Sequence, residues 1–220
     1  MKSYWLSENL WIIRYEQETS TSARIRSLEK LLIDQFSHSI VETVSTTTTL
    51  GIYLQPTLPK DSIDKLTGEW LRLAEISKEV DELQQRIVEI PVLYGGAEGP
   101  DLEIVARHAG LSEKEVIALH TSVVYPVQMI GFAPGFPYLA GLPAEIHAPR
   151  KDRPRERIEA GSVGIAGSQT GVYSIATPGG WQIIGRTATQ LFLPHEDPPS
   201  LLQAGDFIRF VAIEREEAHA

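Results

Sequence analysis

A run of basic side chains is the first feature of this sequence that could do chemistry. Five of the chain's 20 lysine and arginine residues fall within eight positions, 150–157. Arginine carries a planar fork of donors that binds a carboxylate or a phosphate through two parallel hydrogen bonds. Arg150 and Arg155 each follow a proline, which stiffens their backbone next to glycine turns. We predict that these two arginines bind an anionic ligand. A solvated loop is the alternative interpretation of such a charge run.

A second group of candidate ligand contacts lies in glycine-rich segments. The string GFAPGFPYL places Phe132 and Phe136 where their rings could wrap a ligand, or where they could fill a core. The segment 161–171 offers hydroxyl groups, backbone N–H groups and a side-chain amide, and Gln169 and Thr170 are its candidate contacts. This segment has the composition of an anion-binding nest, but the chain lacks the GxxxxGK[ST] sequence of a phosphate-binding loop.

The side chains of the common catalytic and metal sites are absent or wrongly spaced. The chain has no cysteine, its six histidines show no metal-binding spacing, and no serine occupies a GxSxG turn. His120 comes late on a predicted helix, just before the strand that leads into the glycine-rich region. It is interpreted either as a ligand contact or as a packing residue. The residues alone therefore indicate a ligand-binding module with no metal site, no identified cofactor and no identified catalytic residue.

Charge and hydropathy argue against two classes of partner. A net charge of −9 disfavours a general nucleic-acid surface, and the predicted helices around residues 101–120 lack the basic face of a DNA-binding helix-turn-helix. The N-terminus is too polar for a signal peptide, and no apolar run approaches the length of a membrane span. We expect a cytoplasmic protein that binds neither nucleic acid nor a membrane.

The elements that must position these residues fall into two groups, and together they predict an α+β fold. In residues 1–84, apolar side chains at helical spacing predict a helix over Thr21–Phe36 and a second helix from about Asp61. β-Branched and aromatic runs predict strands around them. A sheet covered by two helices makes this part a small α+β domain. Its predicted strands are a hairpin within residues 5–15, then 40–45 and 48–54.

Residues 85–220 make up the second predicted domain, a small β-barrel. The segment 131–187 holds 10 of the chain's 17 glycines and 6 of its 14 prolines, which excludes a helix and favours short strands joined by tight turns. Upstream, Asp101 is predicted to cap one short helix, and Ser112 is predicted to cap another through a capping box. Strands are also predicted at 85–94, 123–130, 190–193 and 207–213, and the polar stretch 78–85 is the predicted linker between the domains.

Several long strings in the chain resemble the family of 5-oxoprolinase B subunits. They are IPVLYGGAEGPDLEIVARHAGLSEKEV, MIGFAPGFPYLAGLP, AGSVGIAGSQTGVY and TPGGWQIIGRT. The resemblance is dense over residues 90–206 and thinner before residue 78, and it departs from the family pattern at 158–160 and at Ser174. The same family is also known as allophanate hydrolase subunit 1 and as the Kip-type inhibitor of a sporulation histidine kinase.

The resemblance implies a fold and an activity. It implies that the C-terminal barrel is of the cyclophilin-like type, and that the chain works with two other subunits, A and C. The complex would use ATP to open 5-oxo-L-proline to L-glutamate, and this chain alone would be inactive. The barrel would then supply contacts to the substrate carboxylate, or one wall of a shared site. A regulator that blocks autophosphorylation of a histidine kinase is the alternative function, and a urea-handling module is a weaker one.

Overall fold

A computed structural model describes residues 1–16, 21–76 and 86–214, and the chain divides into two compact units, Met1–Gln84 and Gln85–Ala220. The predicted fold class is confirmed, since the chain is a mixed α+β protein that contains a closed barrel. The linker predicted at residues 78–85 lies outside the described residues. That each unit folds on its own stays a prediction.

The first unit is an antiparallel sheet with two helices. Its elements are β1 (Lys2–Trp5), β2 (Leu10–Arg14), α1 (Thr21–Phe36), β3 (Ile40–Ser45), β4 (Thr49–Leu54) and α2 (Lys60–Ile76). The strands β1 and β2 form a hairpin, and the sheet order is β1-β2-β4-β3. On α1 the residues Ile25, Leu28, Leu32 and Phe36 are buried, which confirms the helical spacing seen in the sequence.

The second unit contains a closed barrel and two helices. Its elements are β5 (Ile87–Tyr94), α3 (Leu102–Ala109), α4 (Glu113–Thr121), β6 (Val124–Ile130), β7 (Pro137–Leu139), a 3-10 turn (Ala144–Ile146), β8 (Arg155–Ile158), β9 (Ser162–Ala166), β10 (Gln169–Val172), β11 (Thr177–Gly179), β12 (Gln182–Arg186) and β13 (Phe207–Ala212). Seven of these strands close into the barrel in the order β10-β7-β6-β13-β5-β12-β9, while β8 and β11 form a separate two-stranded sheet.

Strand β13 closes the barrel by pairing on both sides. It runs parallel to β5, from Phe207 opposite Ile87 to Ala212 opposite Val92, and antiparallel to β6. Closure of this kind leaves no unpaired strand edge in the barrel. The prediction of a strand at 190–193 is wrong, because this segment forms only an isolated bridge between Phe192 and Ser200.

Side chains on the barrel strands alternate between two packed regions. Val163 and Ile165 of β9, together with Val172 of β10, point into the interior core. On the opposite side of the same sheet, Trp181 and Ile183 belong to a separate buried cluster with Phe136 and Tyr173. Because successive residues of a strand point to opposite faces, these strands present one set of side chains inward and another outward.

Candidate functional site

Five rings on the outer side of the barrel form what we call the aromatic face, which consists of Phe132, Phe136, Tyr138, Tyr173 and Trp181. Phe136 lies at its centre, with its ring centroid 5.0–5.5 Å from those of the other four, all of them edge-to-face. Such geometry is favourable for aromatic pairs. Phe136, Tyr173 and Trp181 are buried, whereas Phe132 is 62% exposed. The face is therefore a firmly packed base with one ring presented to solvent.

A glycine on β10 makes this packing possible. A Cβ on Gly171 would lie 2.8 Å from the Pro137 carbonyl oxygen and 3.1 Å from the rings of Phe136 and Trp181. No side chain fits in that space. The glycine density noted in the sequence thus has a specific use here, which is to let the two rings lie directly against the strand.

The exposed ring of Phe132 is held by a tight turn with an unusual backbone. Phe132 has a φ of 69°, and the N–H of Ala133 donates to the Gly131 carbonyl across it at 2.8 Å. A turn closed between residues i and i+2 with positive φ is rare and strained for a residue that carries a side chain. The hydroxyl of Ser174, one of the departures from the family pattern, donates to the Pro134 carbonyl at 2.5 Å and so fixes the residues that follow the Phe132 turn. Strain of this kind persists where the surrounding contacts enforce it.

Arg150 brings a positive charge to the aromatic face. Its guanidinium lies over the Trp181 ring, 6.0 Å from the centroid, and the residue is exposed. At this distance a cation is attracted by the electrons of the ring. Within the described part of the chain Arg150 makes no ion pair, so its fork of donors is open to an incoming anion.

The hydroxyl group of Tyr173 lies in the electrostatic field of Arg150 and Arg155. Burial raises the pKa of Tyr173 to about 12, against smaller lowering effects of the Trp181 backbone hydrogen bond, Arg150 and Arg155. The phenol therefore keeps its proton at neutral pH. A protonated hydroxyl in the electrostatic field of Arg150 can donate a hydrogen bond to a polar group of a ligand that the arginine binds.

Arg155 is engaged inside the protein. Its two terminal nitrogens donate to the two oxygens of Asp101, at 2.7 and 2.9 Å, and Lys151 donates to the same carboxylate at 2.9 Å. The backbone N–H of Ile183 completes the set at 2.7 Å. Burial alone would raise the pKa of Asp101, but the hydrogen bonds from Arg155, Ile183 and Lys151 outweigh it and keep that pKa below its usual value.

These contacts correct the predicted role of Asp101. The residue does precede α3, but its side chain makes no capping hydrogen bond to that helix. Its carboxylate points instead to donors that lie 50, 54 and 82 residues away in the chain. The capping box predicted at the start of α4 is confirmed, since Ser112 and Glu115 exchange both of its hydrogen bonds.

His120 and Thr170 lie in the barrel interior. His120 is fully buried, and its Nε2 is 2.9 Å from the Thr170 hydroxyl, which itself donates to the Gly164 carbonyl at 3.0 Å. The threonine proton is therefore used, so Nε2 carries the histidine proton and Nδ1 accepts from the Tyr94 hydroxyl at 2.8 Å. Burial lowers the pKa of His120 to about 3, so the ring is neutral.

The structure thus divides the seven residues predicted as ligand contacts. Phe132, Phe136, Arg150 and Arg155 all lie around the aromatic face, although Arg155 is held by Asp101. Gln169 is half-buried and shares its side of β10 with Gly171 by alternation. His120 and Thr170 are turned to the interior. The sequence predictions did not include Tyr173, Trp181 or Lys151 among the site residues. The signal that could have identified the two aromatic residues is the glycine turn before each of them, and for Lys151 it is the place in the basic run.

The described residues contain neither a metal-binding cluster nor a membrane-spanning helix. In the ranges 1–16, 21–76 and 86–214, no three acidic or histidine side chains lie together as a metal site would require. Among the helices described, none is long and apolar enough to cross a membrane.

Comparison with known proteins gives consistent relationships. The carboxyltransferase domain family, subdomain C and D, matches residues 1–202. The chain is 44% identical to the B subunit of 5-oxoprolinase from Escherichia coli O157:H7, over 96% of this chain and 95% of that one. It is 57% identical to the B subunit of 5-oxoprolinase from Bacillus subtilis (strain 168), over 74% of this chain and 66% of that one. The crystal structure of TTHA0988 superposes with a TM-score of 0.79 at 34% identity. That match covers 93% of this chain but only 40% of the longer one.

Proposed function

The chain belongs to the family of 5-oxoprolinase B subunits, within the carboxyltransferase domain, subdomain C and D, and from this membership we propose that it is one component of an ATP-dependent 5-oxoprolinase. In this proposal it acts in the cytoplasm with two partner subunits, A and C. The complex opens 5-oxo-L-proline to L-glutamate, and this chain alone has no activity.

The observation that carries the proposal is the open guanidinium of Arg150 above the buried ring of Trp181, which packs in one cluster with Tyr173. 5-Oxoproline has one carboxylate on a small flat ring. We propose that the carboxylate binds the fork of Arg150, that the ring lies against the aromatic face, and that the Tyr173 hydroxyl donates to a polar group of the substrate. Phe132 would form the outer wall.

The reaction itself explains the need for partners. A five-membered lactam is a stabilised amide, so water opens it only after activation. Transfer of the terminal phosphoryl group of ATP to the lactam oxygen releases ADP and turns that oxygen into a leaving group. One water then adds to the carbon, and cleavage of the carbon–nitrogen bond leaves an acyl phosphate on the opened chain. A second water hydrolyses this acyl phosphate, which releases phosphate and gives glutamate. The contacts on the aromatic face suit binding of a carboxylate, so we propose that the partners bind ATP and activate the water.

An aromatic face with an exposed rim is also suited to a shared site. Phe132 and Arg150 are exposed while the rings beneath them are buried, so this side of the site is a wall rather than an enclosed pocket. We propose that a partner subunit supplies the opposite wall and excludes water on binding. No contact of the aromatic face favours the histidine-kinase regulator, and neither relative described is named as one.

Reconstitution tests this proposal. We expect the purified chain to release no glutamate from 5-oxoproline, and the three subunits together to release glutamate and ADP in equal amounts. Any pair of subunits without this chain should be inactive. Turnover by this chain alone, or full turnover without it, would refute the proposal. A histidine kinase whose autophosphorylation the chain inhibits at micromolar concentration would instead support the alternative.

A further inference from the structure

The basic loop, defined as residues 149–155, is anchored to the barrel on both sides of Arg150. The side-chain amide of Gln182 donates to the Pro149 carbonyl at 2.9 Å, and the Lys151 N–H donates to the Gly180 carbonyl at 2.8 Å. Both immediate neighbours of Arg150 in the chain are therefore fixed to the segment that carries Trp181. Arg150 itself contributes none of these anchors, and its guanidinium lies over the ring.

Asp101 makes the remaining anchors of this loop. One carboxylate oxygen accepts from Lys151 and Arg155, and the other accepts from Arg155 and the Ile183 N–H. In all four hydrogen bonds an N–H group donates and the Asp101 carboxylate accepts, and the Asp101 side chain is 2% exposed. Only a group with two acceptor oxygens satisfies this arrangement. An asparagine in its place would direct N–H donors at another donor, and it would leave two cations without a counter-charge.

We infer that Asp101 is a positioning residue, which fixes the basic loop so that Arg150 stands over Trp181 and faces the substrate. The inference rests on the proposed function of the aromatic face. Asp101 touches no ligand in this arrangement, and it acts only through the loop. Without its charge, Lys151 and Arg155 repel each other and Arg150. With Arg153 these are four cations within six positions, and the loop moves away from the barrel.

The test uses the reconstituted complex with four variants. They are D101N, R150A, the double variant, and E103Q as the matched control. Glu103 is an acidic residue of the neighbouring helix α3, and its ion pair with Arg107 is exposed. We expect D101N to raise KM for 5-oxoproline about tenfold or more while kcat changes less than about threefold, because loosened loops weaken binding. E103Q should change neither constant.

The double variant separates positioning from general destabilisation. If Asp101 acts through Arg150, then D101N adds no further increase in KM once Arg150 is alanine. If Asp101 only stabilises the fold, the two effects multiply, as they do for independent sites. Multiplying effects, or an unchanged KM in D101N where R150A does raise KM, would overturn the inference.

A second measurement does not depend on activity. Hydrogen exchange on the isolated chain reports the Lys151 N–H that bonds to Gly180. We expect it to exchange at least tenfold faster in D101N than in the wild type and in E103Q. Unchanged exchange refutes the positioning role, whatever the kinetics. Faster exchange with a normal KM in R150A supports the positioning role and refutes the proposed substrate contact. If D101N does not fold, K151M tests the same inference, because it removes one anchor and leaves the Asp101–Arg155 pair. It should raise KM about threefold, and an unchanged KM would count against the inference.

Discussion

Replacing Arg150 with alanine is the sharpest test of the aromatic face as a substrate site. Arg150 is exposed and makes no ion pair within the described residues, so its removal leaves no buried charge behind. The cost to folding is therefore the exposed contact with Trp181, about 0.5–1 kcal/mol. Loss of a charge-assisted, bidentate contact to a carboxylate in a partly desolvated site costs more, roughly 2–4 kcal/mol. That range corresponds to a fall in kcat/KM of about 30- to 900-fold.

The assay is steady-state release of glutamate by the reconstituted complex, with thermal unfolding of each isolated variant. R150K should recover little of the loss, because lysine keeps the charge but not the planar fork. R153A is the matched control, since Arg153 is an exposed arginine of the same loop. We expect it to change kcat/KM less than about twofold. A change within threefold for R150A, or full recovery by R150K, would refute the assignment of Arg150 to the substrate.

Four other predictions follow from the described contacts. R155A should destabilise the isolated chain by about 2 kcal/mol in urea unfolding, because the buried Asp101 loses two of its four donors. R157A, at an exposed ion pair, should leave the urea midpoint unchanged. F132G should be more stable than F132A by about 1 kcal/mol because glycine accepts the positive φ, while both should lower kcat/KM equally because both lack the ring. Equal stability of the two would remove the case for strain. His120 has a folded pKa of about 3, below its unfolded value, so the unfolded state binds the proton first as the pH falls, and stability decreases below about pH 6.5. The loss between pH 7 and pH 5 should be about 2 kcal/mol smaller in H120Q, and an equal loss would contradict the buried neutral ring. A fragment of residues 85–220 should unfold cooperatively on heating, and one starting at residue 95 should not, because it lacks β5 and opens the barrel. Failure of the 85–220 fragment to unfold cooperatively would contradict the division into domains, and cooperative unfolding of the fragment from residue 95 would contradict the need for β5.

Local patterns in the sequence predicted what local physics determines. The spacing of Ile25, Leu28 and Leu32 predicts α1 because one face of that helix is buried against the sheet, and the structure buries these residues. The capping box at Ser112 is likewise complete within four residues. Glycine density predicted a barrel with tight turns, and the order of elements agrees. In each case the residues that decide the structure are neighbours in the chain.

The candidate site depended on contacts between distant residues, and prediction was weaker there. Asp101 occupies the position before a helix, where aspartate most often caps, but its four donors lie 50 to 82 residues away and cannot be seen from local sequence. His120 has a residue type that often binds ligands, yet its ring is in the interior. Thr170 is a strand residue, and whether its side chain points inward or outward depends on the strand register. Only the pairing of β9 with β10 fixes that register. Arg150 was predicted from a proline-stiffened basic run and Phe132 from a glycine-rich aromatic string, and both lie exposed on loops, where side chains are accessible to ligands. That they bind a ligand stays a prediction.

The parallel pairing of β13 with β5 has a consequence for how the protein is made. The two strands are 120 positions apart, as the pair Glu89 and Arg209 shows, so the barrel cannot close until almost all of its sequence has been synthesised. At 5–20 residues per second a ribosome needs about 6 to 24 seconds to pass from one strand to the other. During that interval β5 and β6 are exposed without their common partner, and hydrophobic strands in that state aggregate. Slow release from the ribosome, low temperature or a holding chaperone should therefore raise the soluble yield of this chain, and premature termination before β13 should give insoluble product.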